Sequence, residues 1–222
     1  METRVLVIKY ANRLSGAAIP LFRGAVIGSM DGNADILFHN HDGESLAYHY
    51  PLIQYKRIEQ CASIVAIDEG ADIIGQFLSS GKSNLTLGKR TETFTISEVY
   101  TTNCEVLVND EDYEYNLYHW LPFNSENYAA FNALGSLSEK VLFLERILVG
   151  NILSFAKGVN VSLDSNIICW IQDISRQQLL KYKGVKMMAF DLTFRVNVAL
   201  PDFIGLGKGV SLGFGTINKI TD

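Results

Sequence analysis

RVLVIKYANRLSGAAIPLFRGAVIGSM, residues 4–30, opens the chain and sets its architecture. Residues 4–10, RVLVIKY, hold too many β-branched and apolar side chains for a loop and predict a strand. Residues 15–30 predict a helix, with Pro20 in the first turn, where a missing N–H costs nothing. Gly24 and Gly28 stand four apart and share a helix face, which is expected to lie close on a sheet. A strand followed by a helix that returns to it begins a split βαβ unit.

The next eighty residues continue that plan. DILFHNH (35–41) is expected as a short strand running into the turn DGE, with AYHYPLIQYKRI (47–58) pairing beside it. ASIVAI (62–67) is a further strand, GADIIGQFLSSG (70–81) a helix with a glycine stop, and TETFTISEVYTTNCEVLV (91–108) one long strand. The second half repeats the order. YEYNLYHWLPF (113–123) predicts an aromatic strand, and NSENYAAFNAL a helix. SLSEKVLFLERILVGNILSFAKG carries the best helical signature, opened by a Ser136/Glu139 capping box. Strands are expected at 166–174, 185–200 and 214–220. The fold class is therefore α+β: two tandem ferredoxin-like domains with antiparallel sheets, over 1–109 and 110–222, meeting near the acidic stretch 109–113.

Composition narrows the setting. The chain has 222 residues, 48% of them apolar, enough to bury a substantial core. No apolar run approaches the roughly 20 residues that span a bilayer, so no membrane partner is expected. METRVLVIKYANR places polar residues where a signal peptide would continue its apolar core, which points to the cytoplasm. Cys61, Cys104 and Cys169 are odd in number and far apart, and are expected as buried reduced thiols. The net charge of −5 argues against nucleic acid when taken alone. Residues 176–219, however, hold seven basic side chains against Asp191 and Asp202, so this end is suited to a polyanion.

Two motifs carry chemistry. LFHNH places His39 and His41 two apart, and the chain has only four histidines. On a strand such a pair shares one face, about 6.5–7 Å apart at the backbone. The pair suits an acid and a base, half of a metal site with His49 or Asp42 as third ligand, or a solvated strand end. GLGKGVSLGFGTI (205–217) carries five of the chain's 18 glycines and fits neither the P-loop nor the dinucleotide pattern. It reads either as a loop whose N–H groups approach a phosphate backbone, with Lys208 adding charge, or as a long hairpin connection. Lys56 and Arg57 suit phosphate contact or plain exposed strand charge. Tyr48, Tyr50 and Tyr55 are expected as half-buried strand aromatics, and His119 as a structural residue among aromatics.

GLGKGVSLGFGTI resembles the C-terminal glycine-rich loop of CRISPR-associated RNA-processing endoribonucleases, the Cas-six family. IPLFRGAVI, LFHNH and YPLIQYKRI look like that family's b subtype; residues from about 85 to 165 carry no matching motif. The resemblance implies two RAMP-type ferredoxin-like domains and cleavage within CRISPR repeat RNA that calls for no metal and no cofactor. A 2′-hydroxyl would attack the adjacent phosphate, leaving a 2′,3′-cyclic phosphate and a 5′-hydroxyl. The family's histidine pair and following tyrosine fall on His39, His41 and Tyr48. RNA contacts are expected from Gly205, Gly207, Lys208 and Gly209, and from Lys56 and Arg57. The alternative is a non-cleaving RNA-binding subunit of a CRISPR effector complex. Delivery to such a complex and formation of a homodimer stay open.

Overall fold

Strand, helix, hairpin, connection, strand: this succession occurs twice along the chain and gives the same sheet order both times. The computed structural model describes residues 2–30, 50–163 and 166–221. The expected DILFHNH strand, with His39, His41 and Tyr48, lies outside them. So do His49 and Asp42. The chain divides into two compact units at Cys104/Glu105, and Ser211–Gly213 belong to the first.

The first unit contains β1 (Glu2–Arg13), α1 (Ile19–Ser29), β2 (Ile53–Ile58), β3 (Cys61–Ile67), α2 (Glu69–Ser79), β4 (Asn84–Leu87), β5 (Arg90–Thr93) and β6 (Ile96–Glu105). Its four-stranded sheet has the order β2-β3-β1-β6, with β3 antiparallel to both neighbours. Ile8, Tyr10, Tyr55 and Ile64 on one sheet face meet Phe22, Val26, Ile74 and Phe77 of the helices in a common core. Phe22 stands edge-on to Tyr10 and Tyr55 and stacks on Phe94 at 5.3 Å.

Three sequence expectations change here. α1 buries Ile19, Phe22 and Val26, so Gly24 and Gly28 fall on the outer side of the helix. A Cβ at either would meet nothing within 4 Å, so they serve no close approach to a sheet. Of the strand expected over 47–58, residues 50–52 are not in a strand and β2 begins at Ile53, two residues beyond Pro51, which has no N–H to give a ladder. The single strand expected over 91–108 is three pieces. β5 closes a hairpin with β4 through Gly88, at φ +65°, and Lys89. Phe94 then leaves the ribbon for the core, and β6 and β7 follow separately.

The second unit contains β7 (Val108–Trp120), α3 (Ser125–Ala133), α4 (Leu137–Gly158), β8 (Cys169–Tyr182), β9 (Val185–Val198) and β10 (Thr216–Lys219), in the order β10-β7-β9-β8. Both orders are those of a ferredoxin-like unit. The capping box at α4 forms as expected: Ser136 Oγ accepts from the Glu139 N–H, and Glu139 Oε2 accepts from the Ser136 N–H at 2.9 Å. The Ser136 N–H and hydroxyl, both donating to the Glu139 carboxylate, lower its pKa. Leu144, Leu148, Ile152 and Phe155 form the buried stripe of α4. Tyr115, Leu117 and Trp120 of β7 and Phe190, Leu192 and Phe194 of β9 are the buried side chains of the sheet.

β8 runs eight residues beyond the strand end expected at 174 and turns into β9 through Lys183 and Gly184. Both have positive φ, 48° and 85°, as a two-residue type I′ hairpin requires. None of the three cysteines forms a disulfide. Only Cys169 is buried, its thiol pushed up to about 12 by that burial; Cys61 and Cys104 are half-exposed, unlike the expectation. Among the described residues no helix is long and apolar enough to cross a membrane.

Candidate nucleic-acid interface

In the position that α2 holds in the first unit, between the third and fourth strands of the sheet, the second unit has the glycine-rich loop. Its glycines are held tightly. Gly207, at φ +90°, would place a Cβ 2.8 Å from Trp120 Nε1, an indole that itself donates to Asn151 Oδ1 at 2.9 Å. Gly209, at φ +73°, would place one 2.9 Å from both Phe214 and Tyr182. At Gly215 a Cβ would fall 1.8 Å from the Leu206 carbonyl oxygen. Backbone proximity, not only a ligand, therefore demands glycine here.

Most of the loop's N–H groups are already engaged. Leu206 donates to the Gly215 carbonyl at 2.8 Å, Lys208 to that of Leu121 at 3.2 Å, and Gly215 to that of His119 at 3.2 Å. Among the described residues the N–H groups of Gly207 and Gly209 meet no acceptor, and of the two only Gly207 is partly exposed. Lys208 beside it is half-exposed. Both expectations for this segment thus have a physical basis: it is a packed connection with a short stretch of free polar backbone.

The feature that sequence reading missed lies next to it. β9 loses its β7 partner at the Trp120–Phe190 pair, and from there β8 and β9 continue as a two-stranded ribbon to Tyr182–Val185. Residues 174–190 contain Arg176, Lys181, Lys183 and Lys186 and no carboxylate. Lys181 and Lys186 are direct cross-strand partners, and both are exposed. Like charges opposed in this way destabilise a ribbon unless an anion lies over them. The Tyr182 ring joins the ribbon end to the glycine loop, edge-on to Phe214 at 5.6 Å and with Lys183 Nζ 5.6 Å from its centroid. The signal was present in KG, a hairpin dipeptide between two basic stretches, but QQLLKY has no strand alternation of its own.

His119 sits at a β-bulge between Leu117 and Trp120, with φ 53°, and its backbone N–H donates to the buried Asp191 carboxylate at 2.6 Å. It is a half-exposed bulge residue. In the first unit, Arg57 is exposed but Lys56 is 1% exposed, which overturns plain strand exposure for that lysine. Burial lowers its pKa to about 7. Tyr50 and Tyr55 are buried where half-burial was expected. Gly213 belongs to this unit, and a Cβ there would stand 3.2 Å from the Tyr55 carbonyl oxygen.

Two successive ferredoxin-like units, the second with a glycine-rich connection before its last strand, define a RAMP-type fold. The chain belongs to the Cas6b family: models of the Cas6b N-terminal and C-terminal domains match residues 1–105 and 107–220. An uncharacterized protein of Methanocaldococcus jannaschii is 34% identical over 103 residues, which is 46% of this chain and 69% of that protein. A crystal structure of Cas6b is similar with a TM-score of 0.88 at 24% identity, over 99% of this chain and 100% of the other. A crystal structure of a CRISPR RNA processing endoribonuclease Cas6b gives 0.75 at 23% identity, over the same shares. At these identities the likeness is one of fold.

Proposed function

We propose that this chain is an endoribonuclease that cuts CRISPR repeat RNA without a metal ion. The observation that carries the reading is the His-x-His of LFHNH inside a chain whose two halves both match Cas6b. In the reaction one imidazole of His39 or His41 takes the proton of the 2′-hydroxyl, and the resulting alkoxide attacks the adjacent phosphorus. The 5′ oxygen leaves and takes a proton from the second imidazole. The products are a 2′,3′-cyclic phosphate and a 5′-hydroxyl. An unperturbed histidine pKa near 6.5 leaves both protonation forms available at neutral pH. Tyr48 orients a histidine or hydrogen-bonds the phosphate. Lys208, the Gly207 N–H, Arg57 and the lysines of the β8–β9 ribbon hold the RNA backbone.

General acid–base help is typically worth about 10²–10⁴ in rate. His39→Ala and His41→Ala should each slow cleavage by that order while leaving RNA affinity nearly unchanged. A 2′-deoxy substitution at the scissile nucleotide should abolish cleavage by the wild-type chain. Unchanged rates in both histidine variants would remove the assignment. Binding without any cleavage would favour the subunit role instead.

A further inference from the structure

We propose that the face of the second unit's sheet opposite its helices is a stacking platform for unpaired RNA bases, with Tyr118 and Trp170 as its two rings. The proposal rests on the reading of the chain as an RNA-processing protein, and it names the part of the RNA that this face takes. Along β9, Phe190, Leu192 and Phe194 enter the core, so Asp191, Thr193 and Arg195 point to the other face. Strand register carries that face across the sheet. Arg195 lies opposite Trp170 of β8 and Glu114 of β7, and Thr193 opposite Asn116. The Thr193 hydroxyl donates to Asn116 Oδ1 at 3.1 Å, which confirms the shared side. Thr216 of β10 pairs with Tyr118.

On this face Tyr118 is 43% exposed and Trp170 46%, large values for aromatic rings on the paired strands of a sheet. Neither ring has an aromatic neighbour among the described residues. The bulge at Tyr118 and His119 is a device that re-aims side chains, and it is held by the His119 N–H bond to Asp191. From strand spacing and rise, the two rings stand about 15 Å apart, room for two or three nucleotides of an extended strand.

The charge on this face separates bases from phosphates. Arg195 and Arg176 stand against Glu114, which pairs with Arg195 at 3.6 Å, Asp173, and Asp191 opposite Arg176, so this face has no excess of positive charge. A face of nearly zero net charge adds little phosphate attraction, so binding there comes from ring stacking and base-edge hydrogen bonds. The same two strands, β8 and β9, then run on into the ribbon that holds Lys181, Lys183 and Lys186 without a carboxylate.

The chain reports on this platform by itself, because it has two tryptophans and the other, Trp120, is fully buried. Titrating the full-length protein with oligouridylate, which stays unpaired, should quench tryptophan fluorescence; a perfectly paired RNA duplex should not. Trp170→Ala and Tyr118→Ala should each weaken oligouridylate binding by about 5- to 100-fold, the worth of one base–aromatic stack. Trp170→Phe should keep most of the affinity while losing the quench, which excludes a merely structural role. The proposal fails if repeat RNA is bound and cut normally while oligouridylate gives no quench, or if the double Tyr118→Ala/Trp170→Ala variant binds as the wild type does. It also fails if duplex quenches equally. Absence of any RNA binding or cleavage by the wild type would remove the functional reading as well, and the cleavage assay tells the two failures apart.

Discussion

The two sheets share one strand order, yet their faces opposite the helices are unlike. In the first unit that face presents Gln54, Lys56, Ser63, Val65 and Val7, each no more than 2% exposed. In the second it presents Tyr118, Trp170 and Arg195, each between 43% and 48% exposed. The connections differ as well: α2 leads toward the last strand of the first sheet, and a glycine-rich loop leads to that of the second. Topology therefore sets where the helices pack. The residues at alternate strand positions decide whether the remaining face is core or surface.

The sharpest test of this contrast compares glycines. Gly215→Ala drives a methyl group into the Leu206 carbonyl at a backbone φ of +64°, and should cost about 3 kcal/mol or more in urea unfolding. A stable Gly215→Ala protein would show that the loop is not the rigid insert described.

Comparable in size is the effect at Lys56, on the buried face of the first sheet. Burial holds its folded pKa near 7, against an ordinary 10.5. Below pH 7 the folded protein must keep an ammonium out of water, so the penalty is complete. Between about 7 and 10.5 the folded lysine is neutral while the unfolded one is still charged, so the penalty shrinks as pH rises. Above 10.5 it is gone. Relative to the wild type, Lys56→Met should be more stable at pH 6 than at pH 11, by on the order of 4 kcal/mol. Urea unfolding of both proteins across that range checks it. An advantage that did not vary with pH would place the ammonium in water.

Smaller effects belong to the second unit's ribbon. Replacing Lys181, Lys183 and Lys186 by Gln should flatten the dependence of log affinity on log salt. On single-stranded RNA the slope should fall by about 0.7 for each phosphate that is no longer neutralised. Binding isotherms at several salt concentrations measure it; an unchanged slope would take the ribbon out of the interface. Smallest of all, Gly24→Ala on the outer face of α1 should stabilise the protein by roughly 0.5–1 kcal/mol, since the added methyl meets nothing and helix propensity improves. A loss of stability there would restore the close helix–sheet contact that Gly24 and Gly28 suggested in sequence.

How much was legible depends on where the signals are local. β1, β3 and α4 declare themselves through β-branched runs, helical spacing and a capping box, and the repeated element order gave the fold class. Gly24 and Gly28 misled because shared helical phase does not say which way a face points; Ile19, Phe22 and Val26 decide that. β8 was cut short because pairing with β9, not alternation, makes a strand of QQLLKY. The burial of Lys56 depends on the whole sheet and has no local mark. On the site side, LFHNH and the glycine loop were legible as motifs. The lysine ribbon and the exposed Tyr118 and Trp170 required strand register, which a sequence states only once its strands are paired.

Whether paired imidazoles let a ribose oxygen cut its own strand is tested most directly with the wild-type protein and labelled repeat RNA. The two are incubated in excess EDTA, and the ends of the fragments are then identified. Cleavage at one position, with a 2′,3′-cyclic phosphate on one fragment and a 5′-hydroxyl on the other, is the predicted result. Cleavage that appears only when a divalent metal is restored, or that leaves a 5′-phosphate, would contradict it.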